Sequence, residues 1–506
     1  MKVIDIRRGR ISRPAIGILL ILTVLTPVLA DPVDDAEPDA MPRMAQGIKI
    51  GDIDATSVWI WTRVSHPTES AALHPRQIAG LTRTPWPAAA AQVRFELETE
   101  PSDPRRSPGS TIVTRSEWLT TGPTQDGTVK FRHTGLRPDT SYVCRVRCRS
   151  IPKPQSSGSG AVKSSASGKP NSPESKTPDH EIVGRFRTPP RRDTPADARF
   201  VVMTCRRYDG LFDAPEGFET FRSLVQSTTA AGPWSFVSFT GDAVYYDQEP
   251  LLAKNPSTAR LHWHRMDAPS WHRELHRSTP CFFIRDDHDV LRDDTWPGQG
   301  YGKLTFEQGM KIYDQQNPVG DPSYRTLRWG EHLQVWFTEG RRDRSPNRMP
   351  DGPDKTILGD KQKAWLRQTI EASDATFKLL VQATPTWGPD RVKKSDNHAN
   401  ASFATEGRWL RELLVRHDVI SINGDRHWQY VTRDADSGAM EFGTGPTHDS
   451  RAGGWKASDQ TADQVFLRIA GGYLEGTLEI EPTTRLSLVH RDHDGGEHHR
   501  EVFEKK

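Results

Sequence analysis

The sequence predicts a layered α/β domain preceded by a small all-β sandwich of the fibronectin or immunoglobulin kind. Three observations carry that expectation. From Gly47 onward, apolar residues alternate one by one, as in Ser57-Val-Trp-Ile-Trp-Thr62, Val93-Arg-Phe-Glu-Leu97 and Thr128-Val-Lys-Phe-Arg132; this is the period of half-buried strands. After Asp197 the pattern changes to short apolar runs that take turns with helical stretches, the signature of strands covered by helices. Several of those runs stop abruptly at Cys, Asp, Tyr or His side chains, and in an open α/β sheet the carboxyl ends of the strands are where sites are built. A chain of 506 residues has material for about two to four domains and a sizeable core.

Taken in order, residues 1–30 read as an export signal. Arg7, Arg8 and Arg10 form a basic start, and Ala15 to Ala30 is an apolar run of about 16 residues, short of the ~20 that span a bilayer. Val28-Leu29-Ala30 resembles a cleavage site. Cleavage there would start the mature chain near Asp31 and leave no membrane anchor; a retained N-terminal anchor is the alternative. The Arg7-Arg8 pair permits a twin-arginine route beside the general secretory one. The protein is thus expected to be exported, to the periplasm or the medium. Acidic, proline-containing residues 31–46 read as a flexible leader, and residues 47–190 as the β-sandwich domain. Within it, Leu136-Arg-Pro-Asp-Thr-Ser-Tyr142 resembles the corner of fibronectin-type sandwiches that a tyrosine pins. Residues 151–180, rich in Ser, Gly, Lys and Pro, cannot bury enough apolar surface to order and are expected to form a disordered insert. Pro189-Pro190 then marks the boundary with a larger domain at 191–506.

In that domain Phe200–Met203 is the first strand and ends at Thr204-Cys205. A helix follows near Glu216–Gln226, then the strand Phe236–Thr240, which gives way to Gly241-Asp242 and Tyr245. Residues 257–278 are helical with a break near Pro269. The strand Cys281–Ile284 runs into Asp286-Asp-His-Asp289, and a helix near Phe306–Gln316 stops before Pro318. Leu333–Phe337 ends in Glu339-Gly-Arg341. Asp360 is expected to cap a helix that runs to about Ala372. Lys378–Val381 leads to Thr384-Pro385, and a further helix covers about Thr405–Arg416. Val419–Ile422 ends in Asn423-Gly-Asp-Arg-His427, and strands near Leu478 and Leu486 are expected to pair as a hairpin at one sheet edge.

The 68 basic and 66 acidic residues leave a net charge of +2, which gives no reason to expect a nucleic-acid partner. Four cysteines are too few for a disulfide scaffold. Cys144 and Cys148 read as single buried thiols rather than a bridge.

Collected, the strand ends bring Cys205, Asp242 with Tyr245, Asp287 with His288, and Asp425 with His427 toward one edge. Each alone has an ordinary structural reading, as a buried thiol, an acidic turn or a solvated loop. Four in succession, all at strand ends, read instead as a dinuclear metal site. Soft and borderline donors suit a transition metal such as iron, while carboxylates suit a harder second ion. Two cations a few ångströms apart would carry a water as hydroxide and clamp the oxygens of a phosphoryl group, so no strong protein base is needed. His288 is placed for proton work, with Asp289 as its orienting partner.

From about Gly47 to Phe503 the chain resembles the alkaline phosphatase D family, the PhoD-like phosphatases. The matching features are Thr-Cys205, Gly-Asp-Ala-Val-Tyr245, Asp-Asp-His-Asp289, the loop Asp396-Asn-His-Ala-Asn400 and Gly-Asp-Arg-His-Trp428. The resemblance implies a metallophosphoesterase fold and hydrolysis of small phosphate monoesters or diesters, with ferric iron (Fe3+) beside calcium (Ca2+) or another divalent cation. Carried over, Cys205, Asp242, Tyr245 and His427 would surround the iron. Asp242 would bridge to the second ion, with Asp287 and Asp425 as its other ligands, and His288 would sit beside the phosphate. Asp293, Arg341 and His398 are further candidates for metal or substrate contact. Departures from the family fall on the pocket: Arg292-Asp293-Asp294 stands where an Asn is common, Arg285 where Trp is usual, and Thr338-Glu-Gly-Arg341 for Leu-Asp-Thr-Arg. Two other readings compete. One is a secreted binding protein with an inactive phosphatase-like domain, and the other a nuclease or phospholipid phosphodiesterase.

Overall fold

A computed structural model describes residues 41–66, 87–100, 112–151, 180–208, 216–248, 251–391 and 393–505. The export signal, most of the leader and nearly all of the 151–180 insert lie outside the described residues.

Two large sheets lie face to face. In the first, β9 (Ala198–Met203), β10 (Phe236–Phe239) and β11 (Cys281–Phe283) run parallel at the centre. On one side of them come β21 (Tyr473–Glu479), β22 (Arg485–Arg491) and β23 (Glu497–Glu504), and on the other β1 (Ile48–Gly51), β2 (Ser57–Arg63) and β6 (Thr128–Thr134). The second sheet has the order β14 (Arg325–Trp329), β15 (Leu333–Phe337), β16 (Phe377–Gln382), β17 (Val419–Asn423), β19 (Met440–Thr444), β18 (Gln429–Arg433), β20 (Gln464–Arg468).

The central strands are apolar on both faces because both faces are covered. Alternate residues go to different cores. Phe200, Val202, Phe236 and Phe282 meet Phe337, Leu379, Val381 and Ile422 between the sheets, where the rings of Phe282 and Phe337 stack at 4.3 Å. Val201, Met203, Val237 and Phe239 instead face an outer helical layer. That layer is α1 (Glu219–Ala231), α2 (Pro256–Asp267), α3 (Ser270–Ser278) and α4 (Phe306–Gln316). On the far side, Trp336, Leu380 and Val419 pack against α5 (Gly359–Glu371) and α6 (Ala404–Arg416). The result is an α/β sandwich of four layers, helices outside and two sheets within.

The N-terminal β-sandwich shares one of its layers with this domain. Its outer sheet is β3 (Ala91–Thr99), β4 (Ile112–Arg115), β5 (Leu119–Thr121), β7 (Ser141–Ser150) and β8 (His180–Arg187). The layer opposite is β1, β2 and β6, which continue the nine-stranded sheet through the pairing of Gly51 with Cys281. Strand-by-strand alternation reveals a half-buried strand but not which sheet it joins. Tyr142 pins the corner as expected, its hydroxyl accepting the Arg137 N–H at 2.9 Å.

Other expectations need adjustment. Residues 41–46, read as flexible leader, are packed: Met44 is buried and Arg43 pairs with Ser65. Asp360 lies within the first turn of α5 rather than capping it. The N–H groups of Ile357 and Leu358 are taken by the buried Glu406 carboxylate at 2.8 and 3.1 Å. The tail hairpin β21–β22 forms, but β23 extends it and takes the edge. All four cysteines are buried and none forms a disulfide, and among the described residues no helix is long and apolar enough to cross a membrane.

Candidate metal centre

Four parallel strands, three from the first sheet and one from the second, deliver the site at their carboxyl ends. β9 ends at Cys205, β10 at Asp242, β11 at Asp286 and Asp287, and β17 at Asp425. Cys205, Asp242 and Asp425 each sit in the left-handed backbone region, with φ of 53°, 54° and 59°. For residues other than glycine this costs about 1–3 kcal/mol each and concentrates at functional sites. The strain turns each side chain off its strand and into the same small volume.

Two glycines allow the approach. A Cβ on Gly241 (φ 104°) would stand 2.4 Å from Asp286 Cβ. One on Gly424 would stand 2.2 Å from Thr240 Oγ1 and 2.4 Å from Thr204 Oγ1. Gly424 is therefore where the second sheet's loop is laid against the two loops of the first.

Asp242 is the centre of the arrangement. Its Oδ2 accepts from the Tyr245 hydroxyl at 2.9 Å and the Cys205 thiol at 3.4 Å, and the Tyr245 hydroxyl lies 3.5 Å from His427 Nε2. Three sets of donor atoms, each within 4.8 Å of one another, share Asp242: with Cys205 and His427, with Asp287 and His288, and with Asp286 and Asp425. A fourth set comprises Asp287, Asp293 and Asp294.

The electrostatics fit cations at this point. Burial and the neighbouring Asp242 carboxylate push the Cys205 thiol and the Tyr245 phenol well above their ordinary values. Burial likewise raises Asp242 strongly, and Asp425 to about 6 against the pull of Arg426. Burial and nearby cations, Arg451 first, push His427 well below the usual range, which keeps its imidazole neutral. Buried acids short of positive charge hold their protons. A cation would displace those protons and leave thiolate, phenolate and carboxylate donors around a neutral imidazole. Asp242 Oδ1 and Asp286 Oδ2 are buried with no hydrogen-bond partner among the described residues, as atoms kept for a cation would be.

His288 behaves differently from these groups. Burial opposes its charged form, but Asp287, Asp242 and Asp247 outweigh burial and hold its pKa well above the usual range. Its Nδ1 lies 2.6 Å from Asp247 Oδ1. Around the cluster opens a cavity of about 380 Å3, lined by Asp242, Asp247, Gln248, His288, Asp293, Arg391, Lys394, Asp425, His427 and Arg451.

Residues 200–471 match the sequence model of the PhoD-like phosphatase family, and residues 30–165 match that of the PhoD-like phosphatase N-terminal domain. The chain belongs to the PhoD-like phosphatase family. That membership makes it a hydrolase of phosphoric ester bonds and implies metal ions. Among solved structures, that of PhoD is similar over 91% of this chain and 90% of its own, with a TM-score of 0.63 at 16% identity. The purple acid phosphatase PPD1 from seeds of yellow lupin (Lupinus luteus) is similar over 92% of this chain and 74% of its own, with a TM-score of 0.58 at 11% identity. At such identities the likeness is one of fold, a metallophosphoesterase sandwich. No curated protein matches the chain.

Within this PhoD-like frame, the structure brings together Cys205, Asp242, Tyr245, Asp287, His288, Asp425 and His427. It does not place Asp289 as the partner of His288. The Asp289 carboxylate turns back to accept the backbone N–H groups of Val244 at 3.1 Å and Asp286 at 3.0 Å, so its role is to hold the 286–289 turn. Sequence adjacency suggested the pairing; the turn points neighbouring side chains apart. His398 is also elsewhere, buried with its Nε2 2.9 Å from Glu406, where it ties the 396–400 loop to the first turn of α6. Arg341 stands behind the site, its Nε donating to Asp286 at 2.7 Å and its Nη2 3.7 Å from Asp287. Asp293 is at the rim, 64% exposed and 3.9 Å from His288 Nε2. The sequence reading missed Asp247, Asp286 as a donor, and the cations Arg391, Lys394 and Arg451. Asp247 ends the stretch Gly241-Asp-Ala-Val-Tyr-Tyr-Asp247, and its distance from the strand end concealed it.

Proposed function

We propose that this protein is an exported, metal-dependent phosphoesterase that hydrolyses small phosphate monoesters, diesters or both at a dinuclear metal site. The observation that carries this reading is Asp242, shared by three donor sets and so placed to bridge two cations. Cys205 and His427, which share a donor set with Asp242, and Tyr245, in contact with Asp242 and His427, would hold ferric iron, since thiolate, phenolate and imidazole suit a transition metal. Asp287 and Asp425, each in a further donor set with Asp242, would hold calcium or another divalent ion, with Asp286 beside Asp425. When bound, such a pair supplies a water acidified by many pKa units and charge to balance the phosphoryl oxygens.

The chain's own residues do the rest. Asp247 accepts from His288 Nδ1, which leaves Nε2 as the nitrogen facing the pocket. A protonated His288 can there hydrogen-bond a phosphate oxygen and pass its proton to the departing alkoxide. Asp289 and Arg341 hold the turn that carries Asp287 and His288. Lys394, 3.6 Å from Asp293, 3.3 Å from Asp294 and 3.5 Å from Asp396, balances the acidic rim. The cavity sits at the small end of the ~300–1,000 Å3 typical of small-molecule sites, which favours a compact ester over a polymer. The basic start and short apolar run at residues 1–30 support export.

Metal analysis of protein purified without chelator, beside turnover of a chromogenic monoester and diester, tests the reading. Close to two metal ions per chain, one of them iron, with turnover lost on chelation, is the expected result. Full turnover by metal-free protein would overturn it.

A further inference from the structure

Three cations besides His288 line the cavity: Arg391 and Lys394 from the loop after β16, and Arg451 from the segment after β19. Lys394 is already matched by three carboxylates. Arg451 lies over the Tyr245 ring at 4.7 Å and, after opposing burial, is drawn to the Tyr245 hydroxyl. Arg391 is the cation left over. Its nearest carboxylate is Asp390, whose Oδ1 is 3.6 Å from the Arg391 Nε, beyond hydrogen-bond reach. That carboxylate is also committed elsewhere, to Arg426 at 3.1 Å, to the Asn397 side chain at 2.9 Å and to the Arg391 backbone N–H at 2.6 Å. The Arg391 Nε is buried and makes no hydrogen bond among the described residues.

This guanidinium, 37% exposed, lies beside an aromatic pair. Its centre is 5.7 Å from the Trp428 ring, which stacks on Trp455 at 5.3 Å, and its Nη1 passes 3.2 Å from where a Cβ on Gly454 (φ 86°) would stand. An arginine fork with unspent donors is suited to a planar or tetrahedral oxyanion. It lines the same cavity as His288 and Asp247.

Resting on the phosphoesterase reading of this same site, we propose that Arg391 forms a second anion subsite, and that the preferred substrates are small phosphoesters bearing a further anionic group, a carboxylate or a second phosphate. The cluster and His288 take the reacting phosphoryl group; Arg391 takes the other charge.

The test measures binding, so that it does not depend on turnover. Metal-loaded protein is titrated calorimetrically with phosphonoacetate, with ethylene bisphosphonate, and with the near-isosteric 2-hydroxyethylphosphonate, which has the phosphonate as its single anionic group. A hydrogen bond between charged groups predicts about 10-fold or greater preference for a ligand with two anionic groups. Whether the carboxylate or the phosphonate shows it identifies the class. In Arg391→Gln that preference should collapse to about one. Equal binding of all three ligands by the parent protein overturns the subsite, and a preference that survives in Arg391→Gln overturns its assignment to Arg391, as direct contact of the second anion with the metals would. Turnover of phosphoglycolate and ethylene glycol monophosphate is followed in parallel. If neither ester is hydrolysed while the binding preference holds and collapses as stated, the proposed substrate class fails and the subsite stands.

Discussion

Asp247→Asn isolates the proton chemistry from the metal chemistry, because Asp247 belongs to none of the four donor sets. Its two oxygens have separate duties: Oδ1 faces His288 Nδ1 at 2.6 Å, and Oδ2 accepts the Asp293 N–H at 2.8 Å. Asparagine has one oxygen for these two partners. If the amide oxygen serves Asp293, its NH2 group faces Nδ1 and the doubly protonated imidazole loses its acceptor. The alternative orientation strands the Asp293 N–H. Both side chains are largely shielded, at 10% and 15% exposure, so the bond is not diluted by water. A hydrogen bond to a charged group is worth about 1.5–3 kcal/mol, which corresponds to a fall of roughly 10- to 150-fold in kcat. The loss should be carried by kcat rather than KM. It should be several-fold larger for an alkyl phosphate than for a nitrophenyl ester, whose leaving group needs little protonation. Metal content should not change. Equal losses on both esters would refute the proton-transfer role, and loss of metal would mean that Asp247 acts on the cluster itself.

Four other outcomes follow from the same geometry. Cys205→Ser should weaken or shift a visible thiolate- and phenolate-to-iron absorption band and lower the iron content; colourless, iron-free protein that is fully active would remove the iron assignment. Gly424→Ala drives a methyl group to within 2.2 Å of Thr240 Oγ1 and 2.4 Å of Thr204 Oγ1. Overpacking typically costs about 1–3 kcal/mol, and the forced separation of the two sheets' loops should appear as a lower Tm and reduced metal occupancy together; an unchanged Tm would show that the loops are not in contact. Glu406 has its pKa held at about 2 against an ordinary 4.5, because His398, Thr356 and the Ile357 N–H outweigh burial. A depressed carboxylate stabilises the fold above its unfolded pKa and loses that contribution as pH falls through the folded one. By this shift about 3 kcal/mol should disappear between roughly pH 4.5 and 2, and Glu406→Gln should flatten that part of the acid-unfolding curve. Finally, the mature secreted protein should begin near Asp31, as N-terminal sequencing would read; a mature chain that retains Arg7 would contradict cleavage.

Much of this was legible in the sequence because a buried parallel strand leaves two marks, a continuous apolar run and an abrupt polar stop. Phe236–Phe239 followed by Gly241-Asp242 shows both, and so do the runs that end at Cys205, Asp287 and Asp425. What the sequence hides is lateral. Nothing in Ser57–Arg63 says that this strand continues the sheet of β11 rather than closing a separate sandwich, since half-burial looks alike in either place. The direction of a side chain on a turn is hidden for the same reason. His288 sits beside Asp289 in the chain, yet the turn sends the Asp289 carboxylate to backbone N–H groups and leaves His288 to Asp247, 41 positions away. His398 illustrates the opposite error, a histidine in a loop of family-like residues that turns out to serve Glu406 in α6.

The residues behind the cluster account for its tolerance of so many carboxylates. Asp242, Asp286, Asp287 and Asp425 converge in a space nearly closed to water, and mutual repulsion there would force several to stay protonated. The second sheet supplies counter-charge at the ends of two of its strands. Arg341, at the end of β15, pairs with Asp286 and draws Asp287 below the ordinary range against the effect of burial. Arg426, next to Asp425, reaches Asp425 at 2.8 Å and both Asp390 and Asp396 at 3.1 Å, so one guanidinium binds the β17 loop to the 390–396 loop. Removing either arginine would therefore strand buried carboxylates, a change that costs about 3–5 kcal/mol in buried ion pairs, and it would do so in the loops that position Asp287 and Arg391. The acidic cluster and the cations beside it are thus held by the same buried arginine-centred network. A cation entering at Asp242 meets carboxylates already oriented but only partly balanced, and the charge still missing is what the metal brings.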